Sequence, residues 1–404
     1  MLPLFPHQIK YIETAPDRYG LWHDVGTMKT RTCIELAKKR LLLNQPILII
    51  TTKSLVNNWK REIETWEATH LNTTIISKEQ FKKLQPTLPK YDMIIIDEAH
   101  TFAGMTSGFY KNMIKFLKKT NPRYVYLATA TPIMASVWSV WALSSLLGSP
   151  VMGYGSFRSK YHFNIRMGGR EIPVQRKNIE EDIAADLRKF GSVVSKDESL
   201  DLPDALHQTE YFTLTKEQIK VIESLDDDPT TVTPIVYLTK KLQIASGTLK
   251  QPDGSSIHIK CDKLDRALEI VEQNPNCVIV ARHQAELELL HKHIKNSYVY
   301  NGKTSIENRD FAIKEVNSGK GVLLLQADMG IGFNLTGVNL MVFYSHTWDY
   351  IKQYQCLGRI HRQGQVRPCT YIHLITQDSP DVNVYKCLER KESFDVELYM
   401  RNKD

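Results

Sequence analysis

Residues 91–100 read YDMIIIDEAH. The apolar run 93–96 is strand-length, and nothing polar interrupts it. A continuous apolar strand is buried on both faces, which is the habit of parallel sheets covered by helices. Working outward, 46–51 (PILIIT) and 123–128 (RYVYLA) have the same character. On either side of 46–51, the stretches 30–43 and 55–66 have helical spacing, the first through Ile34, Leu36, Ala37 and Leu41. Alternating strands and helices predict an α/β fold with a parallel sheet. The second half repeats the style, with helices at 264–273 and 285–294 and strands at 277–281, 298–300, 322–325 and 340–344. No short repeat period is present. The expectation is two similar α/β domains, 1–203 and 204–404, with a less regular segment at 152–203 and a linker near 195–204.

The totals agree with that plan. A chain of 404 residues has the length of two domains. With 42% hydrophobic and 24% charged residues, the composition is that of a globular protein and excludes a disordered or collagen-like one. The longest apolar runs are strand-length, so no membrane partner is expected. The six cysteines form no CxxC and keep no zinc-ligand spacing with histidine. Reduced thiols in a reducing compartment are expected. The opening MLPLFPHQIKYIE lacks the pattern of a signal peptide, so the expected location is intracellular, in the cytoplasm of a prokaryotic cell or bacterial host. Fifty-two Lys and Arg against 45 Asp and Glu leave +7, a mild excess that permits a nucleic-acid partner without demanding one.

Residues 24–30, DVGTMKT, run into the helical pattern at 30–43. Glycine followed by Lys-Thr at a helix start is a phosphate-cradle pattern, because a helix N-terminus aims its N–H groups at phosphate. Lys29 would meet the β/γ-phosphate charge, and Thr30 would reach Mg²⁺. The usual glycine before the lysine is replaced by Met28, which puts a Cβ where the backbone would approach phosphate. The acidic pair complements this loop, since ligands bind past the carboxyl ends of parallel strands. Asp97 suits Mg²⁺ as a hard oxygen ligand, through water. Glu98 would polarise the attacking water, and His100 would report the nucleotide state.

With these segments the chain resembles the superfamily-two helicases, and within them the Swi/Snf-type DNA translocases. LFPHQ (4–8) looks like the opening segment of that family, whose glutamine recognises adenine, here Gln8. DVGTMKT resembles motif I, TTKSLVNNWKREIETW (51–66) motif Ia, DEAH (97–100) motif II and TATP (129–132) motif III. CVIVARH (277–283) resembles motif IV, ADMGIGFNL (327–335) motif V and QCLGRIHRQGQ (355–365) motif VI, with a C-terminal helical brace at 380–401. The resemblance implies two tandem RecA-like domains with parallel sheets and an ATP site in the interdomain cleft. It implies catalysis by Lys29, Asp97, Glu98, Arg359 and Arg362, with ATP and Mg²⁺ as cofactors and Thr30 and Asp97 as the metal residues. It assigns nucleotide binding to Gln8, Gly26, Thr27, Met28, Lys29, Thr30, Arg31, Gly332 and Gln355. It assigns nucleic-acid binding to Thr52, Lys53, His283 and Asn334, and coupling to His100, Thr129 and Thr131. Arg359 and Arg362 are three apart, so on a helix they would share a face. A guanidinium fork there suits a γ-phosphate.

The segment 158–177 is a second place for phosphate contact. It holds Arg158, Lys160, Arg166, Arg170, Arg176 and Lys177 against one acid, Glu171, with Tyr161 and Phe163 interleaved. A solvated basic face is the alternative use of such a run. The expected function is a DNA-dependent ATPase that translocates on DNA, duplex or branched, as a compact monomeric motor of the phage or prokaryotic kind in replication or recombination. Two alternatives remain: an ATPase-impaired DNA-binding module, motivated by Met28, and an RNA helicase.

Overall fold

The computed structural model describes residues 3–42, 44–133, 136–167, 170–176, 178–199, 201–225, 233–330 and 332–394. At 165–167, 170–173 and 197 it describes the backbone alone. Contacts divide the chain into two units, Met1–Asp201 and Leu202–Asp404.

The first unit is built on β1 (Arg18–His23), β2 (Ile47–Thr51), β3 (Thr73–Ser77), β4 (Met93–Asp97), β5 (Tyr124–Ala128) and β8 (Gly191–Val194). All six lie parallel in one sheet, in the order β3-β2-β4-β5-β1-β8. Every residue of β2, β4 and β5 is buried, which is why these strands read as unbroken apolar runs. Leu48, Ile50, Ile94, Ile96, Val125 and Leu127 share one core with Phe81, Phe102 and Phe116. β6 (His162–Met167) and β7 (Arg170–Gln175) form a separate antiparallel hairpin.

Three helices position the site of this unit. They are α1 (Pro6–Thr14), α2 (Lys29–Arg40) and α3 (Val56–Thr65).

The second unit holds β9 (Ala205–Phe212), β10 (Thr248–Lys250), β11 (Ser256–His258), β12 (Val278–Ala281), β13 (Ser297–Tyr300), β14 (Val322–Gln326), β15 (Leu340–Phe343) and β16 (Cys369–Thr376). Six of them make a second parallel sheet, in the order β13-β14-β12-β15-β16-β9. β10 and β11 pair as a small antiparallel hairpin. Val278, Val280, Leu323, Leu325, Met341 and Phe343 feed the core on one face of the sheet. Their neighbours Ile279, Leu324 and Val342 feed the core on the other. Side chains alternate along each strand, so both faces are covered.

The expectation of parallel α/β sheets in each half therefore holds, but the segment 152–203 is not the irregular stretch it reads as. It folds as the helix Tyr154–Tyr161, the β6–β7 hairpin, the helix Glu180–Arg188 and β8. β8 completes the first sheet beside β1, with Gly20 opposite Gly191 in register. The glycines are needed there. A Cβ on either would fall within 2.0 Å of the Trp22 indole. The space they leave is filled by that ring, whose N–H donates to the Leu187 carbonyl at 3.2 Å. The linker 195–204 likewise contains a short helix, Lys196–Ser199.

The proposed C-terminal brace is described to residue 394, with a helix at Pro380–Glu389. Its remainder lies outside the described residues. Among the described residues, no helix is long and apolar enough to cross a membrane.

Candidate active site

In the first unit, the residues singled out by sequence gather at the carboxyl ends of β1, β4 and β5. β1 ends at His23, and the loop 24–28 turns into α2. Gly26 (φ +89°) and Met28 (φ +59°) are both left-handed. The loop closes on the carbonyl of Asp24, which accepts from Thr27 Oγ1 at 2.8 Å and Lys29 Nζ at 2.9 Å. The Asp24 carboxylate in turn accepts from Val25 N at 2.6 Å and Lys196 N at 3.3 Å. α1 braces the loop from behind, where His7 Nε2 meets the Thr27 carbonyl at 3.2 Å.

Gln8 is fully buried, and its carboxamide is committed to the protein. Nε2 donates to Thr32 Oγ1 at 3.0 Å and to the Met28 carbonyl at 3.4 Å, while Oε1 accepts from Phe5 N at 3.0 Å. These bonds tie α1 to the loop at Met28 and to Thr32 of α2. Arg31 lies in the first turn of α2. It is 3% exposed, its guanidinium lies 3.9 Å over the Trp66 ring, and it donates to the Pro3 carbonyl at 3.1 Å. Thr30 is half-buried in the first turn of α2.

β4 delivers Asp97, 7% exposed. Its Oδ2 accepts from the indole of Trp59 at 2.8 Å and from Thr51 Oγ1 at 3.3 Å. Its Oδ1 accepts from Glu98 N at 3.0 Å. Burial, and then the Glu98 charge, push the Asp97 carboxyl up to about 6. The Trp59 bond and the Lys29 charge act the other way, so the motif I lysine is close enough to be felt at the motif II aspartate. Glu98 is itself left-handed (φ 51°, ψ 47°) and leads into the tight turn Ala99–Phe102. Met28 and Glu98 thus both hold a strained backbone at the site.

His100 joins motif II to motif III. Its Nδ1 lies 3.3 Å from Glu98 Oε2, 2.8 Å from Thr129 Oγ1 and 3.4 Å from Thr131 Oγ1. Thr131 N donates to Thr129 Oγ1 at 3.1 Å. These four residues form one network. Thr52 and Lys53 follow β2; Thr52 is half-buried and Lys53 exposed.

In the second unit, motif V and motif VI are welded together. Arg359, 8% exposed, donates through Nε to the Gln355 carbonyl at 2.8 Å and through NH1 to the Phe333 carbonyl at 3.0 Å. Arg362 NH1 reaches the same Phe333 carbonyl at 3.5 Å, and Leu335 N donates to the Arg359 carbonyl at 3.0 Å. Gly332 (φ +90°) turns the chain just before Phe333, and Gln355 is buried. The two arginines do not share a helical face. The helix Tyr350–Leu357 ends before them, and they lie in the turns leading to Gly364 (φ +92°). What brings them together is a shared carbonyl rather than helical spacing.

Asn334 is exposed, and its carbonyl accepts from Asn317 Nδ2 at 2.9 Å. His283 stands apart from this group at the end of β12, where its N–H donates to Glu286 Oε2 at 2.9 Å.

Comparison with known proteins decides the family. Residues 69–266 match the SNF2-related domain, and residues 259–364 match the helicase conserved C-terminal domain. This chain belongs to the SNF2-related helicases. As a member of that family it is an ATP hydrolase.

Among its relatives, the "Uncharacterized ATP-dependent helicase YqhH" of Bacillus subtilis is 23% identical over 96% of this chain and 79% of its own length. The ISWI chromatin-remodeling complex ATPase ISW1 of Saccharomyces cerevisiae is 22% identical over 98% of this chain but only 39% of its own length. The chromodomain-helicase-DNA-binding protein 1-like of Danio rerio is 20% identical, again over 39% of its length. The SNF2-related chain thus spans about two fifths of the latter two proteins. A solved SWI2/SNF2 ATPase core of Sulfolobus solfataricus in complex with dsDNA covers 96% of the chain at 20% identity, with a TM-score of 0.41.

Two partnerships in this SNF2-related fold escape a reading of the sequence. Trp59 is the tryptophan of the segment that resembles motif Ia, and the bond from its indole N–H to Asp97 is what gives it a place in the site. Arg282 follows the strand β12, and its guanidinium lies 3.7 Å over the Trp348 ring. Nothing in the spacing of 282 and 348 announces that pair.

The basic segment 158–177 is spent partly inward. Lys160 bonds the buried Asp186 at 3.0 Å, Tyr161 OH bonds it at 2.6 Å, and Arg158 donates to Asn164 Oδ1 at 3.0 Å. The side chains of Arg166, Arg170 and Glu171 and the whole of Lys177 lie outside the described residues.

Proposed function

We propose that the chain is a DNA-dependent ATPase that uses hydrolysis to move along duplex or branched DNA. The observation that carries this reading is the constellation of Lys29, Asp97, Glu98, His100, Thr129 and Thr131 in one unit. Lys29 would neutralise phosphate charge beside backbone N–H groups at the start of α2. Asp97 and Thr30 fit Mg²⁺ by donor chemistry. Both are hard oxygen donors, and Oδ1 of the buried carboxylate has a single partner among the described residues. When bound, Mg²⁺ would neutralise the charge developing on the β- and γ-oxygens.

Glu98 would orient the attacking water and draw off its proton. His100 would pass the state of Glu98 to Thr129 and Thr131. Arg359 and Arg362 would stabilise the transferred phosphoryl group, a role worth roughly 10³–10⁵ in rate. Thr52, Lys53, His283 and Asn334 would hold the phosphate backbone, which gives grip without sequence preference. The match to families of ATP-dependent helicases supports this reading, as does the name of the Danio rerio relative, which includes DNA binding.

The test is ATP turnover with Mg²⁺ in the presence of duplex DNA, single-stranded DNA or RNA. Duplex DNA is expected to stimulate turnover most, with Lys29→Ala and Glu98→Gln reducing it by about 100-fold or more. Strongest stimulation by RNA would turn the reading to an RNA helicase. Turnover no higher than that of Glu98→Gln would leave a DNA-binding module.

A further inference from the structure

Trp59 has no exposed surface. A buried indole N–H needs an acceptor, and a backbone carbonyl usually serves. Trp141 and Trp22 follow that habit, donating to the carbonyls of Met152 and Leu187. Trp59 instead donates at 2.8 Å to Oδ2 of Asp97, a charge-assisted bond to the carboxylate expected to face Mg²⁺. Thr51 Oγ1, from the end of β2, adds a second bond to the same oxygen at 3.3 Å. A carboxylate oxygen accepts about two hydrogen bonds, so Oδ2 is filled by the protein. Among the described residues, Oδ1 holds only the Glu98 N–H at 3.0 Å.

We infer that Trp59 is a positioning residue: its indole N–H, with the Thr51 hydroxyl, locks the Asp97 carboxylate so that Oδ1 is the oxygen presented to Mg²⁺. The donors come from α3 and from β2, so the carboxylate is tied to two elements besides its own strand. Partners of this kind orient ligand atoms, and their loss typically weakens metal affinity about 10–100-fold. The inference rests on the nucleotide-site reading above.

The test is equilibrium binding of a fluorescent ATP analogue to the full chain, titrated with Mg²⁺ and repeated in EDTA, alongside thermal unfolding. Trp59→Phe keeps the ring and removes the N–H. It is expected to leave affinity in EDTA within about twofold and to raise the Mg²⁺ concentration at half-effect about tenfold or more. Trp141→Phe, which removes one indole bond elsewhere in the same unit, is expected to match wild type in both.

If Trp59→Phe folds and its Mg²⁺ dependence is that of wild type, Trp59 is a core residue only and the inference is overturned. If it does not fold, Thr51→Val serves. An upward shift in the Mg²⁺ half-point supports the inference, and none overturns it. Wild-type protein that binds no nucleotide even with Mg²⁺ overturns the functional reading together with this one.

Discussion

At the scale of single residues, Met28 caps α2 in a left-handed conformation. Its position before Lys29 usually belongs to glycine, and its φ of 59° explains why. A left-handed conformation costs an L-residue roughly 1–2 kcal/mol, whereas glycine adopts it freely. Glycine, however, loses about 0.5–1 kcal/mol more chain entropy on folding. Met28→Gly is therefore expected to change unfolding free energy by no more than about 1 kcal/mol. By removing the Cβ, it should also tighten ATP binding. Met28→Val places a β-branched side chain in the same conformation and should destabilise by about 1–3 kcal/mol. Urea unfolding and nucleotide titration of the two variants check this. Weaker ATP binding by Met28→Gly would show that the methionine contributes a contact of its own.

At the scale of elements, legibility followed how each residue is used. β2, β4 and β5 are wholly buried, so their apolar runs identify them. β8 and β9 do not read as strands. β8 carries a glycine to admit Trp22, and β9 has an exposure pattern far from that of a buried strand. Motif VI shows the limit of periodicity. The spacing of Arg359 and Arg362 suggests a helix, but the element there is a turn held by Gln365.

The amide of Gln365 donates to the Val338 and Ile360 carbonyls at 2.7 and 3.0 Å. Its oxygen accepts from Val366 N and Arg367 N, both at 3.1 Å. Each of its hydrogen-bonding positions is filled, so this buried side chain acts as the internal frame of the turn. Gln365→Ala would remove four bonds and leave buried carbonyls without donors. At about 1 kcal/mol or less for each bond, the expected loss is about 2–4 kcal/mol. DNA-stimulated ATP turnover should fall with it, because Arg359 and Arg362 lose their support. Denaturant unfolding and turnover measured together would expose a failure: stability lost with turnover intact would detach the turn from catalysis.

At the scale of the molecule, the two units share a sheet plan but differ in what they bury. The second carries a stack of imidazoles. His373 lies between His207 and His346, at 3.2 and 3.0 Å between ring nitrogens, with Phe343 and Tyr385 packed against it. Burial holds His346 down to about 3 and His373 to about 2, and it lowers His207 and His283 as well. In the first unit burial lowers His7 and His162 and holds His23 down to about 2, but burial also raises Asp97.

These shifts have opposite signs in linkage. A histidine kept neutral in the fold is protonated in the unfolded chain below about pH 6.5. The stability it contributes is therefore complete above that pH and declines as pH falls toward the folded value. A carboxyl raised in the fold binds its proton there first, so it adds stability as pH falls through the folded value. At pH 5, each strongly lowered histidine has lost about 2 kcal/mol. His346 and His373 together remove about 4 kcal/mol from the second unit. The first unit loses about half of that through His23, and Asp97 returns part of it.

Calorimetry between pH 7.5 and 5 should then show the Leu202–Asp404 unit melting progressively earlier than the Met1–Asp201 unit. Replacing His346 and His373 by phenylalanine and glutamine should flatten the pH dependence of the second transition alone. Two transitions that fall together with pH would mean that the imidazole stack does not set the acid stability of its unit.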